Sequence, residues 1–291
     1  AASDVYKRQI RNRPQGKENT KITLFSTSNN NERGGAAVIR ERRIKAGKLL
    51  EADFYPVYPS GRRIPERAAR SKPTSDEMKR YNAEQARRRL IELVNANFDD
   101  GDIFFTATIS PSAAPSDVDE ARKIMVNYIR RVKRRRAKLG ITEPFKYIYI
   151  IEAKTYKTGK NKGKTSYHFH AVMSRGLSRD DMENMWIAGE RVSADRYLPS
   201  RFGYETLAKY FSKDPEGTRR YFTSKNLTQP TRLKDKDGRI SRRTVERMAT
   251  IHIDDADYWQ RKYPGYRFLR CNSRYNEFNG HWYVSAVMVR M

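Results

Sequence analysis

The sequence predicts an α+β protein, an antiparallel β-sheet with helices packed on a face. Three observations predict it. Between residues 101 and 230, strand-like and helix-like segments follow in the order strand, helix, strand, strand, helix, helix, strand. Two of those strands, 145–154 and 166–174, are consecutive and joined by a turn-rich connector, the pattern of an antiparallel hairpin. Only 37% of the 291 residues are hydrophobic, but 18 Tyr and 12 Phe supply bulk for a core.

Each element has its own warrant. Residues 10–70 are polar, and the stretches 29–35 (NNNERGG) and 58–73 (YPSGRRIPERAARSKP) read as loop or linker, with a short strand expected near Ala36–Ile39. A helix follows over about 75–97. Thr74 or Ser75 can cap it, Glu77 falls in its first turn, and Leu90, Leu93, Val94 and Phe98 recur at helical spacing beside Arg87, Arg88 and Arg89. GDIFFTATIS (101–110) is aromatic and β-branched between Gly101 and Pro111, so it reads as a strand.

Ser116 opens a long helix whose apolar stripe is Ile124, Met125, Tyr128, Ile129 and Val132. Its remaining surface, Arg130, Arg131, Lys133, Arg134, Arg135 and Arg136, is either a solvated face or a contact for phosphates. FKYIYIIEAK (145–154) is a nearly continuous apolar strand, 155–166 a connector, and SYHFHAVMS (166–174) the next strand. Ser178 with Asp181 forms a capping box for a helix carrying Met182, Met185 and Trp186. A further helix covers about Tyr204 to Lys213, ahead of Asp214-Pro215, and RRYFTS (219–224) is another strand. After Arg232 come loop, a short helix, and a closing strand–turn–strand in which Asn279-Gly280 is the hairpin signal. There is no internal repeat.

Charge narrows the partners. The chain has 60 Lys+Arg against 34 Asp+Glu, a formal charge of +26, and a pI near 10.2. That surplus with 11% aromatic residues points to a polyanion, nucleic acid before any other. No run approaches the ~20 apolar residues that span a bilayer, so no membrane partner is expected. The single Cys271 cannot pair within the chain, which fits a reducing cytoplasm. The opening AASDVYKRQ looks like a translated sequencing adapter, so Ala1 to Gln9 are expected to be non-native and disordered.

The chemistry concentrates in a few positions. His168 and His170 flank Phe169 in a strand, so both imidazoles share one face and Phe169 takes the other. Paired imidazoles suit a divalent cation, although two hydrogen-bonded core histidines would show the same spacing. Glu152 ends the preceding strand, where a hairpin brings it near the histidines; it can complete a two-His, one-carboxylate set or stand as a strand-end carboxylate paired with a cation. Tyr210 and Lys213 are three apart on an expected helix and share a face. A phenol with a pKa near 10 needs its anion stabilised before it attacks, and a neighbouring ammonium does that; in isolation the pair reads equally as surface Tyr beside surface Lys.

FFTATIS (104–110), then His168-Phe169-His170 after a hydrophobic strand, then Tyr210-x-x-Lys213, stand in the order and rough spacing of the three motifs of HUH endonucleases. Over about 101–230 the chain resembles the replication initiators of rolling-circle plasmids and small single-stranded DNA phages. The resemblance implies a five-stranded antiparallel sheet, with the histidines on central strands and the tyrosine on a neighbouring helix. It implies Mg²⁺ or Mn²⁺ held by His168, His170 and Glu152. It implies Tyr210 as nucleophile, Lys213 as its assistant, and single-stranded origin DNA as substrate. The product is a 5′-phosphotyrosine and a free 3′-OH for a host polymerase. Some relatives use two tyrosines, but Tyr204 lies six residues from Tyr210 and on a helix turns away from it, so a single-tyrosine enzyme is expected.

The expected organisation is the adapter-like 1–9, a basic region 10–100, an HUH core 101–230 and an extension 231–291. A relaxase or single-tyrosine transposase keeps the chemistry with different biology, and a non-catalytic nucleic-acid-binding module keeps only the fold. Gly159-x3-Gly163-Lys164-Thr165 approaches a phosphate-binding loop but is one residue short between its glycines and precedes a strand, so it reads as a basic hairpin loop. With no other such loop, unwinding is expected from a host helicase, in the host cytoplasm. Asp254, Asp255 and Asp257 after His252 read as a solvated acidic loop or a second cation site.

Overall fold

A computed structural model describes residues 37–58, 76–110, 114–159, 162–196 and 221–291. Ala1 to Gln9, the caps Thr74 and Ser75, and the helix expected over Tyr204–Lys213 lie outside the described residues. The described chain is α+β, with two antiparallel sheets and helices on their faces. Among the described residues no helix is long and apolar enough to cross a membrane.

The first sheet has five strands. They are β3 (Ile103–Thr108), β4 (Tyr147–Thr155), β5 (Thr165–Met173), β6 (Val192–Arg196) and β7 (Phe222–Thr223), in the spatial order β6-β3-β5-β4-β7. One face packs on helix α2 (Val118–Lys138) and the short α3 (Arg179–Asn184). Phe105, Phe169, Tyr128 and Trp186 meet there, with the Phe105 and Tyr128 rings stacked 4.6 Å apart. Burial pushes the Tyr128 hydroxyl far above the usual phenol range, and it donates to the Met182 carbonyl at 2.9 Å, tying α2 to α3. The expected cap Ser178 accepts from the Asp181 N–H, whereas α2 opens on Asp117, one residue after the expected Ser116, because its side chain accepts from the Glu120 N–H.

The basic run on α2 divides. Arg136 is buried and donates to the carbonyls of Arg175 and Glu143, Arg131 donates to the Met185 carbonyl, and Arg135 pairs with Asp181. Those guanidiniums lock the sheet's helical cover in place. Arg130, Lys133 and Arg134 face solvent.

The second sheet joins the expected closing strand–turn–strand to a hairpin that the sequence does not announce. The loop and short strand expected over 10–70 are, within the described part, a full hairpin of β1 (Val38–Ala46) and β2 (Leu49–Val57). Its turn needs Gly47, whose φ of +58° is left-handed and whose missing Cβ would strike the Asn95 carbonyl. The closing strand–turn–strand is β10 (Tyr266–Asn276) and β11 (His281–Arg290), and β11 pairs with β2. The short β8 (Thr231–Arg232) and β9 (Lys236–Asp237) add to β1, giving the order β10-β11-β2-β1-β8 with β9 also on β1. Both flanking segments of the chain therefore build one sheet.

Helix α1 (Asp76–Asn97) lies between the two sheets. Its buried Leu90, Ile91, Leu93, Val94 and following Phe98 meet Ile148, Ile150 and Val172 on one side and Ala46, Leu49 and Val287 on the other. A helix that is apolar on more than one stripe is one buried on more than one side. The far face of the second sheet carries α4 (Arg242–Thr250) and α5 (Ala256–Lys262) over Phe54, Ala286, Met288 and the fully buried Trp259.

Candidate active site

β5 is the middle strand of the five-stranded sheet, and its alternation sets the site. Phe169 is fully buried under α2 and α3, so His168 and His170 turn to the opposite face, the one that α1 covers farther along at Val172. Register supplies their neighbours. Thr108 stands opposite His168 and Thr106 opposite His170 on β3; Glu152 stands opposite His168 on β4.

Both rings are held by hydroxyls. Nδ1 of His168 is 2.9 Å from the Thr108 Oγ1, and Nδ1 of His170 is 3.5 Å from the Thr106 Oγ1. For His168, a Thr108 hydroxyl that accepts from Nδ1–H leaves the lone pair on Nε2, the arrangement of a ligating imidazole whose second nitrogen is anchored; for His170, whose Nε2 faces the acceptor-only Glu152 carboxylate, the proton sits on Nε2 and Nδ1 accepts from Thr106. Nε2 of His170 lies 3.3 Å from Glu152 Oε2, and Nε2 of His168 lies 3.2 Å from the Ser166 hydroxyl. Burial holds His168 below the usual imidazole range; Glu152 opposes this, and Lys154 and Arg191 reinforce it. Burial thus favours the neutral His168 ring, the form that binds a cation.

The fit to a divalent cation is good in donor chemistry: two imidazoles and a carboxylate share one face, and both imidazoles have their second nitrogen engaged. As the side chains stand, His170 and Glu152 converge, while His168 points its Nε2 at Ser166. Among the described residues no group of three or more His, Cys, Asp or Glu surrounds a common point. His170 is only 4% exposed, whereas the Glu152 side chain is 41% exposed, so the solvent side of the site is the Glu152 side. That side continues into the β4–β5 hairpin. Lys154, Lys157, Lys162 and Lys164 are exposed there, and Tyr156 and Lys164 close the loop by a backbone hydrogen bond of 2.9 Å. Gly159 and residues 162–165 of the near-miss phosphate loop belong to this hairpin; Lys160 and Asn161 lie outside the described residues.

Tyr210, Lys213 and Tyr204 lie outside the described residues. Asp255 caps α5 through the Tyr258 N–H and pairs with His252 Nδ1 at 2.8 Å, so one member of the acidic cluster is a helix cap. Sequence reading missed Thr106, Thr108 and Ser166. The signal was present: the strand period of two places 106 and 108 on one face of FFTATIS, and an antiparallel neighbour puts that face beside the histidines. No family model, curated protein or solved structure matches the chain.

Proposed function

We propose that this chain is a DNA-nicking and -joining replication initiator of the HUH type. The observation that supports it best is the pair His168 and His170 on the middle strand, each with Nδ1 engaged by a β3 threonine, with Glu152 across the hairpin. The expected motif order, with Tyr210 and Lys213 downstream, accompanies it.

In this reading His168, His170 and Glu152 hold Mg²⁺ or Mn²⁺, which when bound polarises the scissile phosphate and offsets charge in the transition state. The Tyr210 oxygen forms a bond to phosphorus as the bond to the 3′ oxygen breaks. The phenolic proton leaves Tyr210, the departing 3′ oxygen takes up a proton, and Lys213 stabilises the anionic phenolate. One phosphodiester replaces another, so rejoining needs no ATP. The exposed lysines of the β4–β5 hairpin neutralise backbone phosphates beside the site. The free 3′-OH then serves a host polymerase, with strand separation by a host helicase.

The test uses a random-sequence single-stranded 40-mer labelled at its 3′ end, incubated with Mn²⁺ and run on a denaturing gel. Wild type forms a labelled covalent adduct, EDTA abolishes it, and Tyr210→Phe forms none. An adduct that persists in Tyr210→Phe overturns the nucleophile. Binding without an adduct under any divalent metal overturns the enzyme and leaves a nucleic-acid-binding module.

A further inference from the structure

The β10–β11 hairpin extends past the sheet that carries it. β11 pairs with β2 only from Val284 to Val289, whereas β10 and β11 remain paired out to Asn276 and His281. The segment from Arg274 to Tyr283 thus runs past β2 as a two-stranded hairpin, with Trp282 packed against the core under α4 and the tip tied to α4 through Arg242. Its bulky apolar residues are all aromatic: Tyr275, Phe278, Trp282 and Tyr283, with no aliphatic side chain among them. Tyr275 is 45% exposed and Phe278, at the apex, 71% exposed. The Tyr275 and Trp282 rings pack 5.2 Å apart on one face of the hairpin, and the Arg274 guanidinium lies 5.5 Å over the Tyr283 ring on the other. At the tip is the exposed Arg242, bound to the Gly280 carbonyl. The only acid in the hairpin tip is Glu277.

We infer that this hairpin end is a second nucleic-acid site, in which bases of single-stranded DNA stack on Phe278 and the Tyr275–Trp282 pair while the arginines take the flanking phosphates. Exposed rings with cations between them and no aliphatic contribution suit the π-faces of bases, which every base offers. An aliphatic-rich patch would instead suit a protein partner or a lipid surface. The choice of DNA over RNA rests on the function proposed above; the stacking geometry does not.

The molecule carries its own reporter. Of its 3 Trp residues, Trp186 and Trp259 are 5% and 0% exposed, so Trp282, half-buried against the core under α4 and α5, is the one whose ring a stacked base can reach. The experiment titrates the full chain, carrying Tyr210→Phe and kept in EDTA so that no cleavage can occur, with (dT)20, (rU)20 and a 20-bp duplex. Anisotropy of the labelled strand and tryptophan emission are followed together. Expected are saturable quenching with (dT)20 at the midpoint given by anisotropy, and loss of quenching in Trp282→Phe with binding retained. Phe278→Ala and Tyr275→Ala each weaken binding by about fivefold or more, with an unchanged slope of log K against log salt. Arg274→Ala lowers that slope by about 0.7. A urea midpoint equal to wild type confirms that each variant folds.

Anisotropy without quenching, quenching that survives in Trp282→Phe, or wild-type affinity in Phe278→Ala overturns the site. Tighter binding of the duplex or of (rU)20 than of (dT)20 overturns its occupant. None of these results bears on whether wild type forms the covalent adduct, so the two proposals fail separately.

Discussion

Arg88 offers the sharpest perturbation of the fold. It projects from α1 onto the second sheet, where it holds Glu51 at 2.6 Å and Asp53 at 2.7 Å. Both carboxylates are nearly buried, with 5% and 8% side-chain exposure, and Glu92 is close by on α1. Their fates differ. Burial raises Asp53, but Arg88 and Arg42 more than offset it and hold the group below the usual carboxylate range. Burial raises Glu51 too, and Arg88, its one hydrogen-bonded guanidinium, only partly offsets that, so Glu51 stays above the range. Arg88→Met keeps the stem and removes the charge. Asp53 retains Arg42 at 2.6 Å, while Glu51 becomes an uncompensated buried carboxylate. Removing one partner of a buried pair costs about 3–5 kcal/mol.

The sign with pH follows from Glu51. Without Arg88 its folded pKa moves further above the unfolded value, so the folded state holds the proton more tightly and stability falls as pH rises through that window. The penalty is therefore larger at pH 8 than at pH 5, and Arg88→Met with Glu51→Gln recovers much of it. Urea unfolding followed by far-UV circular dichroism at both pH values reads this directly. A penalty below about 1 kcal/mol at pH 8, or one equal at the two pH values, would refute the assignment of Glu51 as the dependent charge.

Four further outcomes are expected. Thr108→Val removes the hydroxyl on Nδ1 of His168; Mn²⁺ affinity, read from free-Mn²⁺ paramagnetic resonance, falls about 10–100-fold, and unchanged affinity would detach Thr108 from the site. His168 lies below the usual imidazole value through burial, so its contribution to stability is complete above about pH 6.5 and is lost as pH falls toward the folded value. His168→Gln flattens the unfolding midpoint between pH 5 and 7, and an unaltered profile would count against that assignment. Gly47→Ala loses about 1–2 kcal/mol to left-handed backbone and more to the Asn95 carbonyl, whereas Gly238→Ala, with φ +69° and open space, loses only the backbone part; equal thermal shifts would remove the clash from the account. Tyr128→Phe costs about 1 kcal/mol in urea unfolding by orphaning the Met182 carbonyl, and no measurable cost would mean that the bond contributes nothing net.

Three strands of the five-stranded sheet are readable because they obey simple rules. GDIFFTATIS, FKYIYIIEAK and SYHFHAVMS are dense in β-branched and aromatic residues, and the observed strands fall within a residue or two of those bounds. Ser178 announced α3 through its own side chain. The β1–β2 hairpin hid because its alternation is written in charges. Glu41, Glu51 and Asp53 sit at buried positions; Glu41 and Glu51 are matched by Tyr263 and Arg88 from elsewhere in the chain, and Asp53 by Arg88 and by Arg42 across the hairpin. Polar pattern predicts exposure only when no partner arrives from a distance. β6 was missed for a related reason: VSADR is short, and its register comes entirely from β3. At the site, the two histidines and Glu152 were visible in the sequence, but the threonines that orient the rings became visible only with the strand register.

The union of β2 with β11 has a consequence for biosynthesis. Val57 ends one strand and His281 begins the other, 224 residues later. At ribosomal rates of about 5–20 residues per second, β2 waits roughly 10–50 s for its neighbour. Throughout that wait an unzipped edge and the greasy flank of Leu50, Ala52 and Phe54 are available to any sticky bystander. Holdase supply and growth temperature during expression should therefore govern the soluble yield of this chain more than the integrity of its histidine strand does, since β3, β4 and β5 have all emerged by Met173 and can zip together while β11 is still untranslated.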